Sequence, residues 1–177
     1  MGPLPIVETQ ARTNRGVVMK PGASQEPGRD GGPEQPPAPE RKRVRYSIKF
    51  VCGTAGADCG CCCPVQPGAY ATQISIHNYS QERVVIHKHF FPLVLAGAPV
   101  GREPKVATSR AEDKIELPPH TATMDDCCRI GELLFGAPVE AVTIGLMEIV
   151  ATRDVAVSAI YTTATGIDVV PVLGRTF

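Results

Sequence analysis

The chain has 177 residues, enough for one domain of ordinary size and hardly for two. Lysine plus arginine equal aspartate plus glutamate at 18 each, so the chain lacks the basic excess that is typical of nucleic-acid-binding proteins. No apolar run approaches the ~18 residues that a membrane-spanning helix needs. We therefore predict neither a nucleic-acid partner nor a membrane span.

The N-terminal residues predict neither a secretory signal peptide nor a lipid anchor. Residues 1–16 lack the basic stretch and the apolar stretch of a secretory signal peptide. Ile6 stands where an N-myristoylation motif requires serine or threonine. We therefore predict a cytoplasmic protein, with export by another route as the alternative. Cysteines in the cytoplasm are more often free, metal-bound or redox-active than paired in disulfides.

Residues 1–43 have the composition of an N-terminal arm. Eight of the 17 prolines, and no aromatic residue, lie before residue 40. Such a sequence buries too little apolar surface to offset the entropy lost on folding, which predicts a disordered, Pro/Gly-rich arm. Two short apolar segments, at residues 3–7 and 16–19, favour instead an arm that becomes ordered on a partner. A folded domain is predicted from residue 44 to residue 177.

The pattern of residues 44–177 predicts about seven β-strands. The first, residues 45–52, alternates cleanly, with Tyr46, Ile48, Phe50 and Cys52 on its apolar face. The others are predicted at residues 70–78, 83–95, 114–117, 141–150, 154–163 and 167–173. The segment at 141–150 is almost wholly apolar and is predicted to be central, whereas Pro171 favours an edge position for the last strand.

The order of these segments predicts an all-β fold. One short helical crossover is predicted at residues 124–135, ended by Gly136 and Pro138. Strands do not alternate with helices, so a parallel α/β sheet is disfavoured. We predict an immunoglobulin-like antiparallel β-sandwich, although the chain contains no tryptophan for the position that antibody domains bury.

The strands at residues 70–78 and 83–95 are predicted to form a hairpin. The favoured register buries five apolar side chains, namely those of Ile74, Ile76, Val84, Ile86 and Phe90. It leaves the three imidazoles of His77, His87 and His89 on the outer face. The alternative register would bury imidazoles without partners, which costs more than exposing Val85.

Several short pieces of the body resemble a known group of proteins. They are Phe50–Gly53, Pro67–Thr72, Ile76–Asn78, Leu117–Pro119, Asp126–Cys127 and Ala159–Thr162. Together they resemble a group of small uncharacterised prokaryotic β-sandwich proteins over about residues 45–172. The resemblance implies no activity. It implies that Cys52 and either Cys127 or Cys128 belong to the domain's common plan, and that Cys59, Cys61 and Cys62 are peculiar to this chain.

The seven cysteines are the first candidates for a chemical site. Five lie between Cys52 and Cys63, and the other two are adjacent at Cys127 and Cys128. The predicted ligands of a zinc ion or an iron–sulfur cluster are Cys59, Cys61, Cys63, Cys127 and Cys128. Their number suits a metal, but their spacing is tighter than the two- to four-residue spacer of a zinc knuckle.

Two other interpretations of the cysteines remain. One is a disulfide from the Cys59–Cys63 loop to Cys127 or Cys128, or one that includes Cys52. The other is reduced thiols, with Cys52 and Cys128 as small apolar core residues. Simple alternation of strands would place the loop and Cys127–Cys128 at opposite ends of the sandwich. Only a helix that crosses between the ends would bring them together.

Histidines supply a third candidate. His77, His87 and His89 on one outer face would resemble a three-histidine metal site with an open position. A polar outer face without chemistry is the simpler interpretation. The sequence contains no G-x-S-x-G nucleophile motif, no phosphate-binding P-loop, no G-x-G-x-x-G dinucleotide motif and no H-E-x-x-H zinc motif.

The leading functional hypothesis is a non-enzymatic accessory or structural subunit. Its arm and sheet edges would contact a protein partner or further copies of the chain. The alternatives are a redox module with a cysteine-ligated metal or iron–sulfur cluster, and a metalloenzyme with histidine ligands.

Overall fold

A computed structural model describes residues 42–57 and 63–177. These residues form β1 (Val44–Ala55), β2 (Gly68–Asn78), β3 (Val84–Leu95), β4 (Ala98–Pro99), β5 (Ala111–Leu117), β6 (Thr121–Asp126), α1 (Cys127–Phe135), β7 (Thr143–Ala151), β8 (Ala156–Thr163), β9 (Gly166–Val172) and β10 (Arg175–Thr176). The pairings between these strands are antiparallel. The all-β prediction is confirmed with more strands than the seven expected, and the immunoglobulin-like arrangement stays a prediction.

The strands form two sheets that share β1. The first sheet runs β4–β3–β7–β1–β10. β5 also pairs with β3, along residues 84–90, whereas β4 pairs with residues 94–95. The second runs β6–β2–β8–β9. The end of β1, residues 53–55, leaves the first sheet and pairs with the start of β2. The predicted central position of β7 and the edge position of β9 are both confirmed.

Strand alternation determines the core. In β1 the predicted inward residues Tyr46, Ile48, Phe50 and Cys52 are all buried. The five apolar residues predicted to face inward from β2 and β3 are also buried. Side chains of both sheets and of α1 join one apolar cluster. The sequence therefore predicts which faces are buried, because a period of two requires no knowledge of the neighbouring strands.

The predicted hairpin between β2 and β3 is wrong. These strands belong to different sheets: β2 pairs with β1, β6 and β8, and β3 pairs with β4, β5 and β7. The connection between them crosses from one sheet to the other. Asn78 is fully buried at this crossing, and its amide donates hydrogen bonds to the backbone oxygens of Glu82 and Pro118. A buried asparagine whose amide bonds two separate chain segments favours the crossing over a hairpin turn.

The helix begins three residues later than predicted. Residues 121–126 form β6, and α1 begins at Cys127 rather than at Met124. Asp126 caps the helix, because its side chain accepts a hydrogen bond from the backbone nitrogen of Arg129. Gly136 ends it in the left-handed conformation, with φ of 70°, as predicted.

A hydrogen-bonded cluster joins β1 to the turn between β7 and β8. The hydroxyl of Tyr46 donates to a carboxylate oxygen of Asp154 at 2.5 Å and accepts from the backbone nitrogen of Val155 at 2.9 Å. The hydroxyl of Tyr79 donates to the other carboxylate oxygen at 2.7 Å. The hydrogen bonds from Tyr46 and Tyr79 hold the pKa of Asp154 below its ordinary value.

The lowered pKa of Asp154 predicts a pH dependence of stability. A carboxylate that is more acidic in the folded protein stabilises it above the ordinary aspartate pKa, and this contribution is lost as the pH falls through the lower, folded value. We expect the free energy of unfolding to decrease below about pH 4. Urea unfolding between pH 2 and pH 6 measures it, and Asp154→Asn should show a shallower decrease. Identical pH profiles for the two proteins would contradict this account.

Parts of the sequence analysis lie outside the described residues. Most of the predicted arm, residues 1–41, and the loop cysteines Cys59, Cys61 and Cys62 are among them. In the part that the structure describes, no helix is long and apolar enough to cross a membrane.

Candidate functional site

The junction of β6 and α1 is where the chemically active side chains concentrate. Five consecutive residues, Asp125 to Arg129, lie there. Asp125 is buried at the end of β6, Asp126 caps α1, and Cys127 is the first helical residue. Cys128 and Arg129 complete the first turn of the helix. This junction, and the residues of β1, β3 and β5 that contact it, form the candidate site.

A disulfide joins the junction to β1. Cys52 and Cys127 are bonded, with their Cα atoms 5.5 Å apart. They meet because β1 and β6 pair with the same edge of β2, one after the other. Tyr70 of β2 faces Gly53 of β1, and Gln73 faces Asp126 of β6, so that both cysteines reach the gap between them. A helix was expected to make the crossing toward Cys127, but β6, a strand that was not predicted, brings Cys127 to Cys52 instead.

Thr72 of β2 fills this gap and fixes the disulfide. Its hydroxyl donates to the backbone oxygen of Val51 and accepts from the backbone nitrogen of the same residue, both at 2.9 Å. Its own backbone nitrogen lies 3.1 Å from the sulfur of Cys127 and donates to it. Thr72 is buried, so these polar groups are paired within the protein.

Cys128 does not have the role predicted for it. Sequence analysis placed it in the core or in a disulfide, but its thiol is free and exposed. The helix turns it away from the core, because Cys127 already occupies the inward position at the start of α1. An open cavity of about 280 Å³ lies beside the pair, and its walls include Thr72, Cys127, Cys128 and Ile160.

Disulfides occupy Cys63 and Cys127, two of the five cysteines that were predicted to bind a metal. Cys127 is bonded to Cys52, and Cys63 is also in a disulfide. Ligation of a metal by either residue therefore requires that its disulfide is first reduced. Cys59 and Cys61 lie outside the described residues. Within residues 42–57 and 63–177, no group of three or more histidine, cysteine, aspartate or glutamate side chains is arranged to hold a metal ion.

A buried ion cluster is the feature that sequence analysis missed. Lys88 faces inward from β3 between Ile86 and Phe90, and only 2% of it is exposed. Its ammonium nitrogen lies 2.9 and 3.0 Å from the two carboxylate oxygens of Asp125 and donates hydrogen bonds to them. The same nitrogen lies 2.7 Å from Oδ2 of Asp113. Burial of a charge is costly, and a lysine is tolerated here because two carboxylates surround it.

Each member of the cluster comes from a different element. Asp113 lies directly opposite Lys88 in the pairing of β3 with β5. Asp125 belongs to β6 of the other sheet, where it pairs with Ile74. Arg129 of α1 approaches Oδ2 of Asp113 at 3.4 Å and also pairs with Glu132. The cluster therefore connects both sheets and the helix.

The cations of the cluster keep Asp113 ionised. Burial alone would raise the pKa of Asp113, but the ammonium of Lys88 and the guanidinium of Arg129 outweigh it, so this pKa lies below its ordinary value. Asp113 is therefore a carboxylate at neutral pH. Its Oδ2 atom is buried and lacks an aligned hydrogen bond, although Lys88 is close to it. This oxygen lies 2.7 Å from the ammonium of Lys88, and a carboxylate oxygen has more than one lone pair, so it can accept a proton there.

The three predicted histidines do not form one face. His87 and His89 both point outward from β3, as predicted, and His89 Nδ1 lies 3.2 Å from a carboxylate oxygen of Glu112. His77 is exposed on β2 of the other sheet, where the centroids of its ring and the Tyr79 ring are 6.5 Å apart. The placement of His77 beside the other two is wrong, because it depended on the incorrect hairpin.

Comparison with protein families, curated proteins and solved structures finds no match to this chain. The sequence resemblance to a group of prokaryotic β-sandwich proteins therefore stays a prediction. Function has to be argued from the described residues themselves.

Proposed function

We propose that this protein is a non-enzymatic assembly subunit that associates through the edge strand β9. One observation carries the proposal: β9 presents large apolar side chains to solvent on an open sheet edge. Ile167 is 71% exposed and Val169 is 61% exposed, while Leu173, just after the strand, is 87% exposed. Among the described strands, β9 pairs only with β8, along residues 166–172.

An edge of this kind is unusual for a strand that stays unpaired. Proteins normally protect edge strands with charges, short length or bulges, since free backbone groups recruit other strands. In β9 the protection consists of Asp168 and of Pro171 near the end of the strand. The residues before Pro171 keep their backbone donors and acceptors. An exposed apolar surface next to such donors favours strand addition.

The proposed occupant is β9 of a second copy. Two identical strands can pair antiparallel about a twofold axis, which gives a closed dimer. Asp168 is the only charged residue of β9. Pairing centred on Val169 or Val170 therefore sets no like charges opposite each other, and it removes Ile167 and Val169 of both copies from water. The second sheet would continue through the dimer.

The arm is a second proposed contact. Its two apolar segments lie outside the described residues, so its role depends on sequence alone. Deletion of residues 1–41 separates the two contacts: a deletion variant that associates as the full chain does would remove the arm's role and leave the β9 edge in place.

Substitution of Val169 by lysine should weaken association. We expect the full chain to show a concentration-dependent dimer, and Val169→Lys to raise the dissociation constant at least about tenfold, since two buried charges would face each other across the interface. Light scattering coupled to size-exclusion chromatography measures the molar mass over a concentration series. Val106→Lys is the matched control, because Val106 is 85% exposed in the loop between β4 and β5. A wild-type chain that stays monomeric at every concentration would overturn the proposal.

The alternative functions need a metal. A cysteine-ligated centre would form only after reduction of the disulfides of Cys63 and Cys127, so elemental analysis of anaerobically reduced protein tests it. A histidine site would now depend on His87 and His89 alone, and His87→Ala should then lose bound metal. The predicted cytoplasmic location likewise stays a proposal, and the Cys52–Cys127 disulfide is more typical of an oxidising compartment.

A further inference from the structure

Lys88 and Asp125 bring together the two groups that condense to form an amide. A primary amine and a carboxyl group are held together inside the protein, and water is kept out. The side chains of Lys88 and Asp125 are each only 3% exposed. They belong to different sheets, so that a bond between them would cross the core.

We propose that Lys88 and Asp125 form an intramolecular isopeptide bond, with Asp113 as the group that transfers the protons. The bond joins Nζ of Lys88 to the side-chain carboxyl carbon, Cγ, of Asp125. The proposal assigns a covalent modification site and is independent of the association through β9.

Geometry favours the attack. The two oxygens of Asp125 are almost equally distant from Nζ, at 2.9 and 3.0 Å. The nitrogen is therefore held against the carboxyl group that it would attack, and the reaction requires it to approach Cγ from above the plane of the two oxygens. Strand pairing fixes both backbones, because Lys88 lies between β5 and β7 and Asp125 is paired with β2. Little freedom remains to be lost before the atoms meet.

Asp113 has the position and charge of a proton acceptor. Its Oδ2 atom lies 2.7 Å from Nζ, within the distance required of a general base. That oxygen is buried and makes no aligned hydrogen bond, which leaves it able to take a proton. Asp113 enters from β5, whereas Asp125 enters from β6, so that the amine has a carboxyl group to attack and a separate one to receive its proton.

The reaction balances without a further reactant. The ammonium of Lys88 gives one proton to the carboxylate of Asp125, which produces a neutral amine and a carboxylic acid. The amine lone pair forms the N–C bond, and Asp113 takes a proton from the nitrogen. Asp113 then returns this proton to the departing hydroxyl of Asp125, and the C–O bond breaks to release one water. An ammonium and a carboxylate become an amide and water, and Asp113 is regenerated.

Formation of the bond is favoured by the charges around it, because it neutralises a buried cation and a buried anion together. Before the reaction the cluster holds two cations, the buried Lys88 and the half-exposed Arg129, and two anions, Asp113 and Asp125. Afterwards Lys88 and Asp125 are neutral, and Arg129 still balances Asp113. The reaction thus removes two charges from a buried place and leaves none uncompensated. Without Arg129, the product would contain an unpaired carboxylate.

The product would carry two covalent connections at one place. Asp125 would join β6 to β3, and Cys127, two residues later, joins the start of α1 to β1. The two sheets would then be held together even where the disulfide is reduced. Such a bond limits how far the chain can open under force or during proteolysis.

The mass of the denatured, fully reduced full-length chain tests the proposal. We expect a mass lower by one water molecule than that of the unlinked sequence. Trypsin should also fail to cut after Lys88 and should yield one branched species that joins residues 84–102 to residues 115–129. A mass equal to that of the unlinked sequence, with separate peptides that end at Lys88 and begin at His89, would overturn the proposal.

Variants of the neighbouring carboxylates test the role of Asp113. Asp113→Asn should retain the water and give separate peptides, whereas Asp113→Glu should restore at least part of the linked species. Glu112→Gln is the matched control, because Glu112 is the adjacent carboxylate but points outward to His89. It should link as fully as the wild type. An Asp113→Asn chain that links to the same extent would overturn the proton-transfer role. The wild-type mass decides the bond itself, even if a variant does not fold.

Discussion

Replacing Lys88 with methionine is expected to lower the free energy of unfolding by about 3–5 kcal/mol. Methionine retains the long apolar stem but removes the ammonium that lies within 3.0 Å of Asp113 and Asp125. The carboxylates of Asp113 and Asp125 would then face each other, with the guanidinium of Arg129 as the remaining cation of the cluster. Urea unfolding at pH 7, followed by circular dichroism, measures the difference.

Two further variants separate the charge from the packing. Lys49→Met makes the same change on the exposed face of β1 and should alter the unfolding free energy by no more than about 0.5 kcal/mol. In the Lys88→Met/Asp125→Val double variant the partner charge is also removed, and Arg129 still compensates Asp113. Most of the stability lost with the charge should return, as when a buried ion pair is replaced by apolar residues. Any stability that the proposed Lys88–Asp125 bond adds to the wild type should stay lost, because neither variant can form that bond. If Lys88→Met unfolds within about 1 kcal/mol of wild type, the cluster contributes little.

The inward position of Lys88 could have been predicted from the sequence. Ile86 and Phe90 were assigned to the core, and a period of two places Lys88 between them on the same face. The expectation that only apolar residues face inward concealed it. Its partners could not be predicted in the same way. Asp113 is opposite Lys88 only through the register of β3 with β5, and Asp125 approaches from the other sheet.

The other errors have the same cause. Burial along each strand follows from local alternation, so the inward faces of β1, β2 and β3 were predicted correctly. The choice of neighbouring strand depends on contacts between distant segments, and the short connection after Asn78 is compatible with a hairpin or with a crossing. Because β2 and β3 were assigned to one sheet, His77 was placed beside His87. Because residues 124–126 of β6 were assigned to the helix and residues 121–123 to no element, the partner of Cys52 could not be chosen.

Removal of the disulfide is expected to lower the free energy of unfolding by about 4 kcal/mol. Cys52 and Cys127 are 75 residues apart in sequence, and closing a loop of that length restricts the unfolded chain strongly. The Cys52→Ala/Cys127→Ala double variant tests it without leaving an unpaired thiol in the core. Urea unfolding under non-reducing conditions should show the loss.

Cys128→Ala is the matched control for the disulfide, since it removes the adjacent cysteine, whose thiol is free and exposed. It should unfold at the urea concentration of the wild type. An excess of reductant should bring the wild type down to the stability of the double variant treated with the same reductant. The same reductant applied to the double variant measures what the other disulfide, that of Cys63, contributes. If the wild type and the double variant unfold together before reduction, the Cys52–Cys127 bond does not form in solution. The stability of the β6–α1 junction would then depend on the cluster of Lys88, Asp113 and Asp125, whether or not Lys88 and Asp125 are bonded.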